Sequence, residues 1–183
     1  MNKKKINVYS LIKREVEKLK KIGNKTASLD CRLLLSQILK KTNTVYTHQE
    51  VYISQNQIIK FQTLVKKREE GQPVSRILNR RNFWKREFIL DEETLDPRPD
   101  SEILIETVLE HFSDNTKLLK ILDLGSGSGC LGLSLLEEYE NASIIFVDAS
   151  KKSLKIVKKN SHQFRLKGCL LYTSDAADEG SSV

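Results

Sequence analysis

A short glycine-rich stretch, residues 121–133, reads ILDLGSGSGCLGL and places three alternating glycines between two apolar segments. Glycine adopts a positive φ without steric cost and, having no side chain, lets a ligand approach the backbone closely. If a strand precedes this stretch and a helix follows it, the free amides and the positive dipole end of the helix face the turn. Such a turn is typical of a cofactor-binding loop.

Two acidic residues flank this loop at informative positions. Asp123 lies just before it, and Asp148 lies 25 residues further on, at the end of the next apolar segment. An acid in the second position can accept hydrogen bonds from both hydroxyls of a ribose. The loop formally matches the dinucleotide fingerprint as Gly127-x-Gly129-x-x-Gly132. An acid as close as Asp123, however, favours the ammonium or sulfonium charge of S-adenosylmethionine. The alternatives are a nicotinamide or flavin cofactor and a glycine turn that binds no ligand.

The elements that position these residues follow from the apolar periodicity. Two apolar runs, residues 118–124 and 143–147, predict buried parallel strands. The segments after them, residues 131–139 and 151–166, have the spacing of helices. Strand, helix, strand, helix predicts a βαβ unit within an α/β sheet, with two parallel strands in this chain.

The first 75 residues have a different pattern. Apolar residues at helical spacing predict four helices, over residues 8–22, 27–40, 47–51 and 54–71. Ser54 and Gln57 have the spacing of a capping box at the start of the last helix. Helices this short must bury their apolar stripes against one another, so the region is predicted to be a small helical bundle.

An aromatic-rich segment separates the two regions. Residues 82–99, NFWKREFILDEETLDPRP, predict a β-hairpin with its turn near residues 91–93. Pro97 and Pro99 hold the chain extended after the hairpin. Asp100 or Ser101 is then placed to cap the helix that follows.

Three segments together resemble the release-factor glutamine methyltransferases: GQPVSRILNRRNFWKREFILDEETLDPRPDSEILIE, ILDLGSGSGCLGLSL and VDASKKSLKIVKKN. These bacterial and organellar enzymes methylate N5 of the glutamine in the Gly-Gly-Gln motif of peptide chain release factors. The resemblance covers residues 1 to about 168. Its most specific motifs are Gln72-Pro73, Phe83-Trp84 and Pro97-Arg98-Pro99-Asp100.

The resemblance implies a domain organisation. Residues 1–75 would be the helical domain that recognises the release factor, and residues 76–100 a β-hairpin connector. Residues 101–168 would be the N-terminal part of a Rossmann-like, S-adenosylmethionine-dependent methyltransferase domain. The implied fold class is therefore α/β with an N-terminal helical bundle.

The resemblance also implies site residues. The residues that would line the methionine side of S-adenosyl-L-methionine are Gly125, Ser126, Gly127, Ser128 and Gly129. Asp148 would hold the ribose, and Asp123 is a further candidate. Arg98, Asp100 and Ser101 match a family segment that runs beside the cofactor pocket. The family's substrate motif, Asn-Pro-Pro-Tyr, does not occur in this sequence, so no catalytic residue is assigned and this chain is expected to be an inactive fragment.

The last 15 residues, CLLYTSDAADEGSSV, differ from the rest of the chain because they contain no lysine or arginine. Their first eleven letters resemble the read-through translation of a common sequencing adapter. We therefore expect residues 169–183 to be a non-native tail, and we assign no role to Cys169, Tyr172 or Asp175.

The apolar runs, the N-terminal segment and the cysteines together predict the cellular compartment. No apolar run approaches the ~20 residues that span a bilayer, and the basic N-terminus lacks the apolar core of a secretory signal. Three cysteines lie far apart, at Cys31, Cys130 and Cys169, which favours a reducing cytoplasm and indicates neither disulfides nor a metal site. We expect a cytoplasmic monomer without membrane association.

The distribution of charged residues does not by itself identify the binding partner. Residues 1–82 carry 19 Lys and Arg against 6 Asp and Glu. This excess either steers an acidic partner or RNA, or is an ordinary solvated surface. Release factors are the expected partner, and nucleic acid is not the expected substrate. The alternatives are a ribosomal-protein glutamine or nucleic-acid amino-methyltransferase of the same fold, and a non-enzymatic partner-binding module.

Overall fold

A computed structural model describes residues 3–41 and 43–173 of the chain. The chain divides into two units, Met1–Leu78 and Asn79–Val183. The predicted connector is split by this division, because its hairpin belongs to the second unit. Within the described ranges, no helix is long and apolar enough to cross a bilayer.

The described residues of the first unit form four helices and two short strands. In chain order they are β1 Lys4–Asn7, α1 Val8–Lys21, α2 Ala27–Ile38, β2 Glu50–Ile53, α3 Gln55–Glu69 and α4 Val74–Leu78. The long helices bury one stripe each, and the core they share includes Ile12, Leu19, Leu34 and Phe61. The capping box is confirmed: the Gln57 amide donates to Ser54 Oγ, and the Ser54 amide donates to Gln57 Oε1.

The helix predicted over residues 47–51 is wrong. Strand β2 begins at Glu50 and pairs antiparallel with β1, with Lys4 opposite Ile53 and Asn7 opposite Glu50. Val51 and Ile53 are buried while Glu50 and Tyr52 are exposed, which is the two-residue period of a half-buried strand. The unit is therefore a helical bundle with a two-stranded sheet.

The second unit begins with a hairpin and continues as an α/β sheet. Its elements are β3 Arg80–Phe83, β4 Arg86–Ile89, α5 Glu102–His111, β5 Lys120–Leu124, α6 Cys130–Glu138, β6 Ser143–Asp148, α7 Lys151–Phe164 and β7 Cys169–Thr173. The core includes Phe83, Phe88, Leu133 and Phe146. Parallel strands with intervening helices confirm the predicted α/β fold class.

The hairpin is present, but its turn lies earlier than predicted. Phe83 pairs with Arg86, so Trp84 and Lys85 form a two-residue turn. Trp84 has a φ of 53°, which is unusual for a bulky side chain. Two hydrogen bonds hold it there: its amide donates to Glu102 (2.8 Å), and its indole Nε1 donates to Glu138 (2.6 Å). Trp84 thus packs the hairpin against α5 and α6.

As far as the chain is described, the sheet has three parallel strands in the order β5-β6-β7, whereas the sequence predicted two. Strand β7 begins at Cys169, directly after Gly168, whose φ of 86° turns the chain into the sheet. Its register places Ile144 opposite Cys169 and Asp148 opposite Thr173. Half-buried and exposed residues alternate along its sequence, CLLYT, which is the two-residue period of a β-strand. The rest of the predicted tail, residues 174–183, lies outside the described residues, and the non-native origin of residues 169–183 stays a prediction.

Strand β5 is less buried than its apolar sequence predicts. Leu122 is 56% exposed and Leu124 is 70% exposed, although the continuous apolar run indicated burial on both faces. Of the described strands, only β6 pairs with β5. One edge of β5 is therefore open in the described part of the sheet.

Candidate cofactor site

Two carboxylates hold the glycine-rich loop by its backbone. The Gly127 amide donates to Asp148 Oδ2 (2.8 Å), and the Gly132 amide donates to Asp123 Oδ2 (3.1 Å). The other Asp148 oxygen accepts from the Ser150 amide (2.8 Å), which begins the turn into α7. Both acids come from the carboxyl ends of adjacent parallel strands, so the sheet itself sets the distance between them.

The glycines of the loop serve two different purposes. Gly125 and Gly127 have φ values of 70° and 54°, and a Cβ added to either would meet nothing closer than 4.0 Å. Their backbone therefore faces open space that a ligand can occupy.

Gly132 instead allows α6 to pack tightly against the sheet. A Cβ at this position would lie 2.4 Å from Phe146 Cε1 and 2.8 Å from Asp123 Oδ2. Gly129 is intermediate: its φ is 75°, and an added Cβ would press on Val157 and Leu133. The glycine pattern thus combines a ligand-facing half with a helix-packing half.

Polar groups inside the loop leave bonding capacity for a ligand. Ser126 Oγ is buried and has no hydrogen-bond partner among the described residues. Buried hydroxyls without a partner are uncommon in native proteins, so this atom fits a site that a ligand completes. The neighbouring Cys130 thiol is not a nucleophile candidate, because burial raises its pKa to about 11.

The charge at the loop favours a cation over an anion. Burial raises the pKa of the Asp123 carboxyl, opposed by the Gly132 amide, and the charge of Asp148 raises it further. The Asp123 carboxylate already accepts a hydrogen bond from the Gly132 amide near the start of α6. A helix N-terminus would otherwise be able to bind a pyrophosphate. A cationic group near Asp123 offsets the burial cost, whereas a pyrophosphate would add to it. The residues present therefore fit a nucleoside with a positively charged tail.

The segment 98–101 forms the entry to α5. Pro99–Ser101 is a single 3₁₀ turn; Arg98 and Asp100 are exposed, and Ser101 is half-buried. The predicted cap is wrong, since Ser101 makes no side-chain cap bond to α5. Within residues 3–41 and 43–173, no hydrogen bond or ion pair joins Arg98, Asp100 or Ser101 to the glycine loop, so their assignment to the cofactor stays a prediction.

Comparison with known proteins finds two matching family models and several curated relatives. Residues 10–78 match the model of the PrmC N-terminal domain, and residues 92–182 match that of the methyltransferase small domain. The release factor glutamine methyltransferase of Buchnera aphidicola subsp. Baizongia pistaciae is 35% identical over 151 residues, which cover 82% of this chain and 54% of that protein. Its counterpart from Buchnera aphidicola subsp. Schizaphis graminum is 33% identical, covering 93% and 61% respectively.

This chain belongs to the release factor glutamine methyltransferase family. The resemblance found in the sequence is thereby confirmed. The chain spans between 54% and 61% of the length of these two curated relatives.

Among solved structures, the Pyrococcus abyssi tRNA (uracil-54, C5)-methyltransferase in complex with S-adenosyl-L-homocysteine is similar over 52% of this chain and 23% of that one. Its TM-score is 0.42 and its sequence identity is 15%.

Sequence reasoning missed one residue that touches the loop of this family member. Asn160 on α7 is fully buried, and its Nδ2 donates to the Ser128 carbonyl (2.9 Å). A signal was available: Asn160 continues the apolar stripe of Ile156, Val157 and Phe164 at helical spacing. A polar amide on a buried stripe needs hydrogen-bond partners within the fold.

We predict that Gly132→Ala destabilises the second unit by about 2 kcal/mol, because the added Cβ collides with Phe146 and Asp123. This corresponds to a fall of roughly 10 °C in the melting temperature, measurable by circular dichroism.

The matched control is Ser134→Ala, which introduces the same residue two positions along α6. It removes a buried Oγ that has no partner among the described residues, so the melting temperature should stay unchanged or rise. Equal melting temperatures for the wild type and Gly132→Ala would contradict the packing role of Gly132.

Proposed function

We propose that this chain binds S-adenosyl-L-methionine and recognises peptide chain release factors as part of a protein-glutamine N5-methyltransferase. The observation that carries the cofactor assignment is the pair Asp123 and Asp148, which hold a glycine loop that faces open space. Family membership and the relatives' names support the reaction. Three unpaired cysteines are consistent with the reducing cytoplasm as the place of action, and we expect the protein to act there as a monomer.

The residues would divide the cofactor between them. Gly125 and Gly127 let the backbone approach the methionine portion, and Ser126 Oγ offers a free hydrogen-bonding group. Each Asp148 oxygen accepts one backbone amide and keeps lone-pair capacity, with which it can accept from ribose hydroxyls. Asp123 provides the negative charge that complements a cation. Arg98, Asp100 and Ser101 are proposed to border the same pocket.

When bound, S-adenosylmethionine supplies an electrophilic methyl group on a good leaving group. The acceptor is an amide nitrogen, which is weakly nucleophilic because its lone pair is delocalised. Transfer therefore depends on in-line positioning and on hydrogen bonds to the substrate amide. In the family these bonds come from Asn-Pro-Pro-Tyr, and the three prolines of this sequence, Pro73, Pro97 and Pro99, include no adjacent pair.

We predict that the chain binds S-adenosylhomocysteine and that Asp148→Ala weakens this binding at least tenfold, about 1.4 kcal/mol. The variant loses both the ribose acceptor and the anchor of Gly127. Isothermal titration calorimetry gives the dissociation constant, with circular dichroism confirming that the variant is folded.

Asp114→Ala is the matched control, because it removes an exposed acid whose side-chain bonds go to its neighbour Thr116. It should leave the dissociation constant unchanged. Preferential binding of a nicotinamide dinucleotide by the wild-type chain would overturn the cofactor assignment.

We further predict that the 183-residue chain does not transfer a methyl group. Incubation with radiolabelled S-adenosylmethionine and a release factor should leave the Gly-Gly-Gln glutamine unlabelled, while a relative that contains Asn-Pro-Pro-Tyr labels it. Labelling of the release factor by this chain would show that the motif is dispensable.

A second candidate function is methylation of nucleic acid by the same fold. Its supporting observation is a groove of about 510 Å³ between α1 and α3, lined by Arg14, Lys18 and Lys66. The groove also contains Glu15 and Glu69, and Lys18 is already paired with Glu15 (2.6 Å). This mixed charge favours a protein surface over a phosphate backbone.

The salt dependence of binding distinguishes the two candidates. We predict that affinity for a release factor changes less than about tenfold between roughly 50 and 200 mM salt, whereas a protein that contacts 6–10 phosphates loses about 10³–10⁵. A fluorescence titration with labelled release factor measures this, with transfer RNA as the control ligand. Tight, steeply salt-dependent binding of the RNA would favour nucleic acid as the substrate.

A further inference from the structure

Asn160 joins two parts of the second unit that are distant in sequence. Its Oδ1 accepts from the Ile89 amide (2.8 Å), and its Nδ2 donates to the Ile89 carbonyl (3.1 Å) and to the Ser128 carbonyl (2.9 Å). Both amino hydrogens and the oxygen are therefore used. Asn160 is 0% exposed, and its bond to the Ser128 carbonyl is buried.

The contact with Ile89 resembles the pairing of a neighbouring strand. Ile89 is the last residue of β4, and both of its backbone groups bind the Asn160 side chain. Backbone N–H and C=O groups in a folded protein need hydrogen-bond partners, and Asn160 provides both for half-buried Ile89. The hairpin end is thereby fixed against α7.

The contact with Ser128 acts within the glycine-rich turn. Ser128 lies between Gly127 and Gly129, both of which have positive φ. Asp148 fixes the loop on one side, through the Gly127 amide. Asn160 fixes it on the other side, through the Ser128 carbonyl.

We propose that Asn160 is a positioning residue that holds the cofactor loop in its binding conformation and couples it to the end of β4. The functional part rests on the proposed function, since it assumes that the loop binds S-adenosylmethionine. The geometric part, that Asn160 restrains the loop, does not depend on any ligand.

The chain provides a matched control for this role. Gln163 lies three residues further along α7, and its Nε2 donates to the carbonyl of Glu87, a residue of β4 (2.9 Å). Gln163→Ala therefore removes an amide link between α7 and the hairpin without touching the loop. Any effect that Asn160 variants show and Gln163→Ala lacks is due to the loop contact or to the Ile89 contact.

The test compares Asn160→Asp and Asn160→Ala with Gln163→Ala. Asn160→Asp keeps the shape and the oxygen that accepts from the Ile89 amide, but it loses the Nδ2 donor and with it the bonds to the carbonyls of Ser128 and Ile89. We expect amide hydrogen exchange at Gly127 and Gly129, followed by NMR, to become at least tenfold faster in both Asn160 variants, and the dissociation constant of S-adenosylhomocysteine to rise at least tenfold. Gln163→Ala should stay within twofold of the wild type in both measurements.

The outcomes separate the two hypotheses. Loop exchange that is unchanged in the Asn160 variants, or equally accelerated in Gln163→Ala, overturns the positioning role. A wild-type chain that fails to bind S-adenosylhomocysteine overturns the proposed function, while the exchange rates still decide whether Asn160 restrains the loop.

A measurement on the wild type guards against variants that do not fold. The side-chain amide protons of Asn160 should exchange at least tenfold more slowly than those of the exposed Asn141, and S-adenosylhomocysteine should slow them further. Fast exchange of the Asn160 side chain in the folded wild type would contradict the proposal on its own.

Discussion

The rest of the site depends on one constraint: two carboxylates at strand ends accept hydrogen bonds from backbone amides. A glycine loop has many conformations, and only fixed acceptors select one of them. Parallel pairing of β5 with β6 places Asp123 opposite Phe146 and brings the end of β6, with Asp148, beside the loop. The sheet therefore positions the loop, and the loop in turn exposes its backbone to a ligand.

The same interaction explains why the site suits a cationic nucleoside. A carboxylate that holds the start of α6 removes the anion preference that a helix N-terminus ordinarily has. The ligand-facing glycines keep the opening free, whereas Gly132 brings α6 close enough for Asp123 to reach it. The open space at Gly125 and Gly127 and the close packing at Gly132 are thus two results of a single short motif.

Much of this fold could be predicted because its helices and parallel strands have strong periodicity. The βαβ unit, the glycine turn and the Ser54 capping box depend on local sequence, and the structure has them where the pattern indicates. The errors have local causes as well. Residues 47–51 are too few to separate helical from alternating periodicity, and β1 was missed because its partner lies 43 or more residues away.

Tertiary contacts account for the rest. The turn at Trp84 is stabilised by Glu102 and Glu138, which no pattern near residue 84 reveals. Likewise, Asn160 matters because its side chain binds the carbonyls of Ile89 and Ser128. The sequence alone shows only a polar residue on an apolar helix face. Bonds between distant segments are what single-sequence reasoning lacks.

The order of the strands also bears on how the chain folds during synthesis. Strands β5, β6 and β7 are neighbours in the sheet in the order in which they leave the ribosome. Among the described strands, β6 therefore has two partners, whereas β5 has one partner and one unpaired edge. Leu122 and Leu124 on β5 are more than half exposed, and an exposed apolar strand with an unpaired edge is the kind of surface on which protein chains associate.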